Sequence, residues 1–166
     1  MNRRLFIASL IITFSLLTSS CIVTHNEQLN NSNEEKIIRN HIDKIFQAYI
    51  RKDSVTVRIT HSNNWRGFLS YSNKILRGID DYMKEVDRQG GLNRLNTWHL
   101  VNYKMQDYDI VLNGNTAIVS YIAELFWEDG NKKGSYKLRS IDIYGKEKSK
   151  WIQIASNIGP LPETGN

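Results

Sequence analysis

Four long alternating segments between Thr97 and Asn157 constrain this chain more than anything else in it. They are joined at Asn113-Gly114, Asp129-Gly130-Asn131 and Gly145-Lys146. In the second segment Ala117, Val119, Tyr121, Ala123, Leu125 and Trp127 alternate with Ile118, Ser120, Ile122, Glu124 and Phe126. Successive side chains of a strand point to opposite faces, so both faces here are largely apolar, which predicts a central strand covered on both sides. Asn-Gly accommodates the positive φ angles of a two-residue hairpin turn, so Asn113-Gly114 sets the first two strands antiparallel. His99, Val101, Tyr103 and Met105 share one phase, and Tyr108, Ile110 and Leu112 the other. That slip predicts a bulge at Gln106 and Asp107 that bends the strand.

The preceding region reads as helices and short pieces that cover one face of this sheet. Ser32 followed by Glu35 has capping-box spacing, and Ile38, Ile42, Ile45, Phe46 and Tyr49 recur at helical intervals, which predicts a helix over 33–51. Ser54 to Thr60 is compatible with strand or helix. His61-Ser62-Asn63-Asn64 reads as a turn, Trp65, Phe68 and Tyr71 as a short aromatic strand, and Lys74 to Leu76 as its partner. Asp80 is the expected N-cap of a second helix carrying Ile79, Tyr82, Met83 and Val86 and ending at Gly90-Gly91.

The first residues carry an address rather than a fold. Arg3 and Arg4 form a basic start, Leu5 to Leu17 an apolar run of 13 residues, and Thr18-Ser19-Ser20 a small-residue stretch before Cys21. The run falls short of the roughly 20 residues a membrane-spanning helix needs. This start resembles a bacterial lipoprotein signal, which implies lipidation of Cys21 as the mature N-terminus and a membrane-anchored protein of the cell envelope. Thr18 departs from the aliphatic residue commoner at that place, so secretion after cleavage near Ser20, to the periplasm or beyond, and an uncleaved anchor are the alternatives. Cys21 is the only cysteine, which excludes an intramolecular disulfide. The expected organisation is a signal over 1–20, a polar tether over 21–33, one domain over 34–162 and a tail over 163–166. Leu161-Pro162-Glu163-Thr164-Gly165 resembles a sortase recognition motif, but no apolar stretch follows it and it reads as coincidence.

Without Arg3 and Arg4 the charge balance is +3, with 20 basic residues against 17 acidic. The basic residues are scattered among acids without regularly spaced aromatics, so no nucleic-acid partner is expected. His25, His41, His61 and His99 lack ligand spacing, so neither a metal nor a cofactor is expected.

The order of a capped helix, a Trp-containing strand, a Gly-x-Asp helix and a bent meander is similar to the nuclear transport factor 2-like superfamily, in particular its SnoaL-like branch. Tyr49 to Asp53, Leu76 to Asp80, Asn113 to Ala117 and Trp151 to Ser156 carry the resemblance. It implies an α+β fold, a cone-shaped curved antiparallel sheet packed on a long N-terminal helix. It also implies a cavity between the two, and dimerisation through the sheet. The superfamily hosts isomerases, dehydratases, cyclases and non-catalytic binding modules, so the fold does not choose the function. A ketosteroid isomerase needs a carboxylate on the first strand and a phenol on the first helix. No acid lies between Asp53 and Asp80, and the helix position falls near Ile45, which counts against that chemistry.

Trp65, Phe68, Tyr103, Tyr121, Trp127 and Tyr144 are the candidate ligand-binding aromatics, with Arg139 to orient a polar or anionic group. A plain hydrophobic core explains the same aromatics. His99, Glu124 and Asp142 are the candidate acid-base residues, against a reading in which they are solvent-facing alternates of an antiparallel sheet. The resulting expectation is an envelope-anchored module binding an apolar small molecule in its pocket. The alternatives are a lyase or isomerase of SnoaL-like type and a ligand-free structural dimer.

Overall fold

A computed structural model describes residues 31–161 of the chain. Cys21, the signal-like start and the tail over 163–166 lie outside the described residues. The chain divides into two compact units, Met1–Ile37 and Ile38–Asn166. Of the first, residues 31–37 are described, and they are helical.

Helix α1 (residues 31–50) presents Ile38, Ile42, Ile45 and Phe46 as one buried stripe. Ser32 lies inside the helix, so the capping box expected there is not its start. At the far end Lys52 turns into the left-handed region (φ 51°), and its ammonium group donates to the carbonyls of Asn93, Asn96 and Trp98 at 2.7, 3.0 and 2.9 Å. One cation thereby ties the helix end to the segment before the long strands. The ambiguous stretch is helix α2 (Ser54–Thr60), capped by Asp53, whose carboxylate accepts from the Thr56 amide at 3.0 Å. A cap three residues after a helix end restarts a helix rather than a strand.

Strand β1 (His61–Phe68) starts where a turn was expected, because His61 and Ser62 are buried and His61 pairs with Gln153. It ends before Tyr71, which is 72% exposed with φ 65°. Its partner β2 (Leu76–Arg77) is antiparallel to it. Helix α3 (Ile79–Arg88) is capped by Gly78 rather than Asp80, since only glycine is at ease with φ 88°. Asp80 instead accepts from Arg58 Nη1 at 2.7 Å in the first turn.

The remaining strands are β3 (Trp98–Asn113), β4 (Thr116–Asp129), β5 (Lys132–Glu147) and β6 (Lys150–Pro160). The six form one open, curved sheet in the order β2-β1-β6-β5-β4-β3. All neighbours are antiparallel except β1 and β6, which run parallel. The expected bulge is present: the β3–β4 register shifts between Gln106 and Asp109, and Asp107 has φ 46°. A second shift, between Leu100 and Asn102, turns Val101 outward and was not legible in the alternation. Gly145-Lys146 is not a turn. β5 runs on to Glu147, and Lys148 and Ser149 turn instead, at φ 49° and 65°.

The concave face carries the core, with Ala117, Val119, Tyr121, Ala123 and Leu125 packed on the stripe of α1. The convex face of β4 is not covered as expected. Ile118, Val111 and Ile141 lie there 47%, 53% and 51% exposed, an apolar patch spanning three neighbouring strands. Among the described residues no helix is long and apolar enough to cross a membrane.

Candidate functional site

A cavity of about 390 Å³ opens between α1, α3 and the concave face of the sheet. Most of its wall is apolar: Ile42, Ile45 and Phe46 from α1, Val86 from α3, and Leu100, Leu125, Leu138 and Ile158 from the sheet. Trp98 and Trp127 also line it. Trp127 lies across Gly134 of the paired strand, where a Cβ would meet its ring at 2.7 Å, so the glycine makes room for the indole.

The polar part of the wall centres on Asp142, 1% exposed on β5. Its Oδ1 accepts from Ser140 Oγ at 2.7 Å and Ser156 Oγ at 2.5 Å. Its Oδ2 accepts from Tyr121 Oη at 3.0 Å and Gln153 Nε2 at 2.9 Å. Burial pushes the acid's pKa up, and the four donors, Ser156 foremost, pull against that. Four donors also occupy the lone-pair sites of both oxygens, so Asp142 anchors a network rather than presenting a free base. Gln153 is itself aligned by Trp65, whose Nε1 donates to its Oε1 at 3.0 Å.

His61 lines the same cavity. Its Nδ1 lies 2.7 Å from the Val57 carbonyl, which only accepts, so Nδ1 carries the proton and Nε2 keeps the lone pair. Nε2 is buried without a hydrogen-bond partner. Burial lowers the pKa to about 4, so the ring is neutral at ordinary pH. Its face packs against Tyr82, 4.4 Å between ring centroids. Tyr82 from α3 and Tyr49 from α1 share a hydrogen bond of 2.6 Å between their hydroxyls, and both line the cavity.

The expected site residues divide accordingly. Tyr121, Trp127 and Asp142 stand on the cavity wall, and Asp142 is not the solvent-facing alternate it resembled. Trp65 is fully buried behind Gln153 and holds it in place. Tyr144 is fully buried with its ring edge-on to His41 at 5.3 Å, off the cavity wall. Tyr103 stacks on Phe46 at 4.5 Å and donates its hydroxyl to Asp43, and Phe68 is 38% exposed; neither lines the cavity. Arg139 is exposed and off the cavity wall, because Leu138, Ser140 and Asp142 take the inward phase of β5.

His99 and Glu124 are also off that wall. His99 Nε2 lies 3.8 Å from a Glu128 oxygen, and Glu124 accepts from Ser135 Oγ at 3.2 Å. The residues missed were His61, Gln153, Tyr49 and Tyr82. A phenol of the first helix therefore does reach the cavity, one turn beyond Ile45, while the first strand offers His61 where a carboxylate was sought. No group of three His, Cys, Asp or Glu side chains among the described residues could hold a metal ion.

The fold is that of NTF2-like proteins. A protein assigned as a scytalone dehydratase, from Novosphingobium aromaticivorans, aligns with a TM-score of 0.67 over 80% of this chain and 87% of its own, at 12% identity. An NTF2-like protein from Cytophaga hutchinsonii aligns at 0.61 over 76% and 98%, with 14% identity. A protein assigned as a calcium/calmodulin-dependent kinase II association domain, from Exiguobacterium sibiricum, aligns at 0.63 over 79% and 95%, with 11% identity. No protein-family model and no curated protein matches the sequence. Identities this low carry the fold alone, and one fold here serves differently assigned proteins.

Proposed function

We propose that this domain binds a small, largely apolar molecule in the cavity between α1 and the sheet. The observation that carries the reading is the cavity itself: about 390 Å³, walled by aliphatic and aromatic side chains with polar groups gathered around Asp142. That volume lies within the roughly 300–1,000 Å³ usual for small-molecule sites. Apolar burial would supply most of the affinity, at about 25 cal/mol per Å² before the costs of association.

The neutral dye Nile red serves as the probe. Saturable binding with one site per chain is expected, and Leu125→Trp, which fills the cavity from β4, should abolish it. Absence of saturable binding to the wild-type domain, or undiminished binding to a folded Leu125→Trp variant, would sink the proposal.

The second reading, a small-molecule lyase or isomerase, is favoured by one observation: an imidazole, a carboxyl group and five phenols line one cavity. The dehydratase assignment of one structural neighbour agrees with it at the level of the fold. Binding ranks first because the carboxyl is saturated by donors and the imidazole is held neutral to about pH 4, a poor base. Turnover of a bound compound that fails in His61→Ala would reverse this ranking.

We propose further that the domain is held at a membrane of the cell envelope by lipid on Cys21. The basic start, the apolar run and the single cysteine support this. Mass spectrometry of the membrane fraction is expected to find a lipidated N-terminus at Cys21, and Cys21→Ala to release the chain. A soluble wild-type chain, or an intact Met1, would contradict it.

A further inference from the structure

We infer that the cavity selects uncharged, oxygen-bearing ligands and turns carboxylates away, the ligand oxygen being met by the Tyr49–Tyr82 hydroxyl pair. The inference rests on the binding reading above and names the chemical class of its ligand.

Two hydroxyl protons meet in that pair, and one is spent on the 2.6 Å bond between them. No other hydrogen bond engages either hydroxyl among those the described residues make, so the second O–H of the pair is free to donate. A ketone, ester or alcohol oxygen can accept it. The pair is fixed from two sides, Tyr49 by α1 and Tyr82 by α3, with the Tyr82 ring wedged between His61 at 4.4 Å and Trp65 at 4.7 Å. An oxygen arriving there meets a donor already in place.

Charge on the wall decides against anions. The lining contains no Lys or Arg, and its one acid, Asp142, has no cation among its hydrogen-bond partners. The ionisable groups that line the cavity are Tyr49 from α1, His61 from β1, Tyr82 from α3, Tyr121 from β4, Tyr136 and Asp142 from β5, and Tyr71 from the segment after β1; β3 and β6 line it with Trp98, Leu100, Gln153 and Ile158 and add none. Burial moves Tyr49, Tyr82, Tyr121 and Asp142 upward, Tyr136 up to about 12 and His61 down to about 4, each toward its neutral form. A ligand carboxylate would meet the same desolvation with no counter-ion to offset it.

The test uses three probes with one apolar body: para-acetylbiphenyl, para-ethylbiphenyl and para-biphenylcarboxylate, measured by calorimetry on the intact domain. The ketone is expected to bind about tenfold more tightly than the hydrocarbon, since one hydrogen bond to a prepaid donor separates them. The acid is expected to bind as its neutral form, so that its affinity rises about tenfold per pH unit as pH falls toward the acid's own pKa.

Either single variant, Tyr49→Phe or Tyr82→Phe, leaves one hydroxyl with its proton unspent and should keep part of the preference. The double variant should lose it while binding the hydrocarbon as before. The carbonyl stretch of the bound ketone gives an independent reading: it should shift to lower frequency in the wild type, and the shift should be lost in the double variant. Equal binding of ketone and hydrocarbon, a ketone preference that survives the double variant, or a carboxylate that binds most tightly as the anion would each overturn the inference while leaving the cavity reading intact. Failure of all three probes to bind would overturn the cavity reading itself.

Discussion

Gly67→Val is expected to cost about 4 kcal/mol or more, enough to leave the domain unfolded under conditions where the wild type is native. Gly67 pairs with Ser156 across the parallel junction of β1 and β6, and a Cβ there would lie 1.8 Å from the Ser156 carbonyl oxygen. The obstacle is paired backbone, which cannot rotate away as a side chain can. The φ of +152° adds strain for any L-residue, and more for a β-branched one. Gly130→Asn is the control. Gly130 also has positive φ (58°) but nothing lies within 4 Å of its would-be Cβ, and asparagine tolerates that conformation. Urea denaturation of the two variants should differ by several kcal/mol; a Gly67→Val variant within about 1 kcal/mol of the control would refute the close approach of the two strands.

Acid is expected to weaken the domain by about 3 kcal/mol through His61 alone as pH falls from 6.5 to 4. In that window an unfolded histidine takes up a proton, whereas the folded ring, held near 4 chiefly by burial, does not. The unfolded state therefore binds more protons and gains as pH falls. His41, lowered to about 4 by burial and by Lys44, acts in the same direction. Asp142 acts in the opposite one: its folded pKa is raised, so the folded state holds the proton more tightly and gains stability as pH falls through that pKa. The net slope should lie below two protons. Urea melts across the range measure it, and the ring protons of His61, followed by NMR in the folded protein, should titrate only near pH 4. A folded-state midpoint for His61 near 6.5 would remove the basis of the prediction.

Both effects arise from residues whose importance was poorly visible in sequence. The long strands, the Asn113-Gly114 hairpin and the bend at Gln106-Asp107 were legible because side-chain period and turn chemistry are local properties. The turn at Lys148-Ser149 was not, because neither residue is a usual one for positive φ, while Gly145 three residues earlier had the look of a turn and instead packs beside Ile154.

The site was hidden by an inverted pattern. On β5 the apolar alternates Ile141 and Ile143 look like the inward phase, yet Ser140 and Asp142 are the buried ones. Their burial becomes tolerable only because Ser156 and Gln153 arrive from β6 and Tyr121 from β4, partners that no local window contains. His61 was lost in a polar cluster that resembled a turn. The aromatics misled in the other direction: Tyr103, Tyr144 and Trp65 are as aromatic as Tyr121 and Trp127, and only the curvature of the sheet separates core from cavity.

The place of β6 in the sheet also sets an order of assembly. The hairpins of β3, β4 and β5 can form from neighbouring sequence as soon as those strands are available. β1 cannot join them, because the strand that connects it to β5 is the last one made. On a ribosome, β1 must wait through more than half of the described chain before its partner β6 exists. The cavity, whose walls come from both sides of that seam, therefore cannot be complete during synthesis until β6 is present to bring Gln153 and Ser156 to the carboxyl of Asp142.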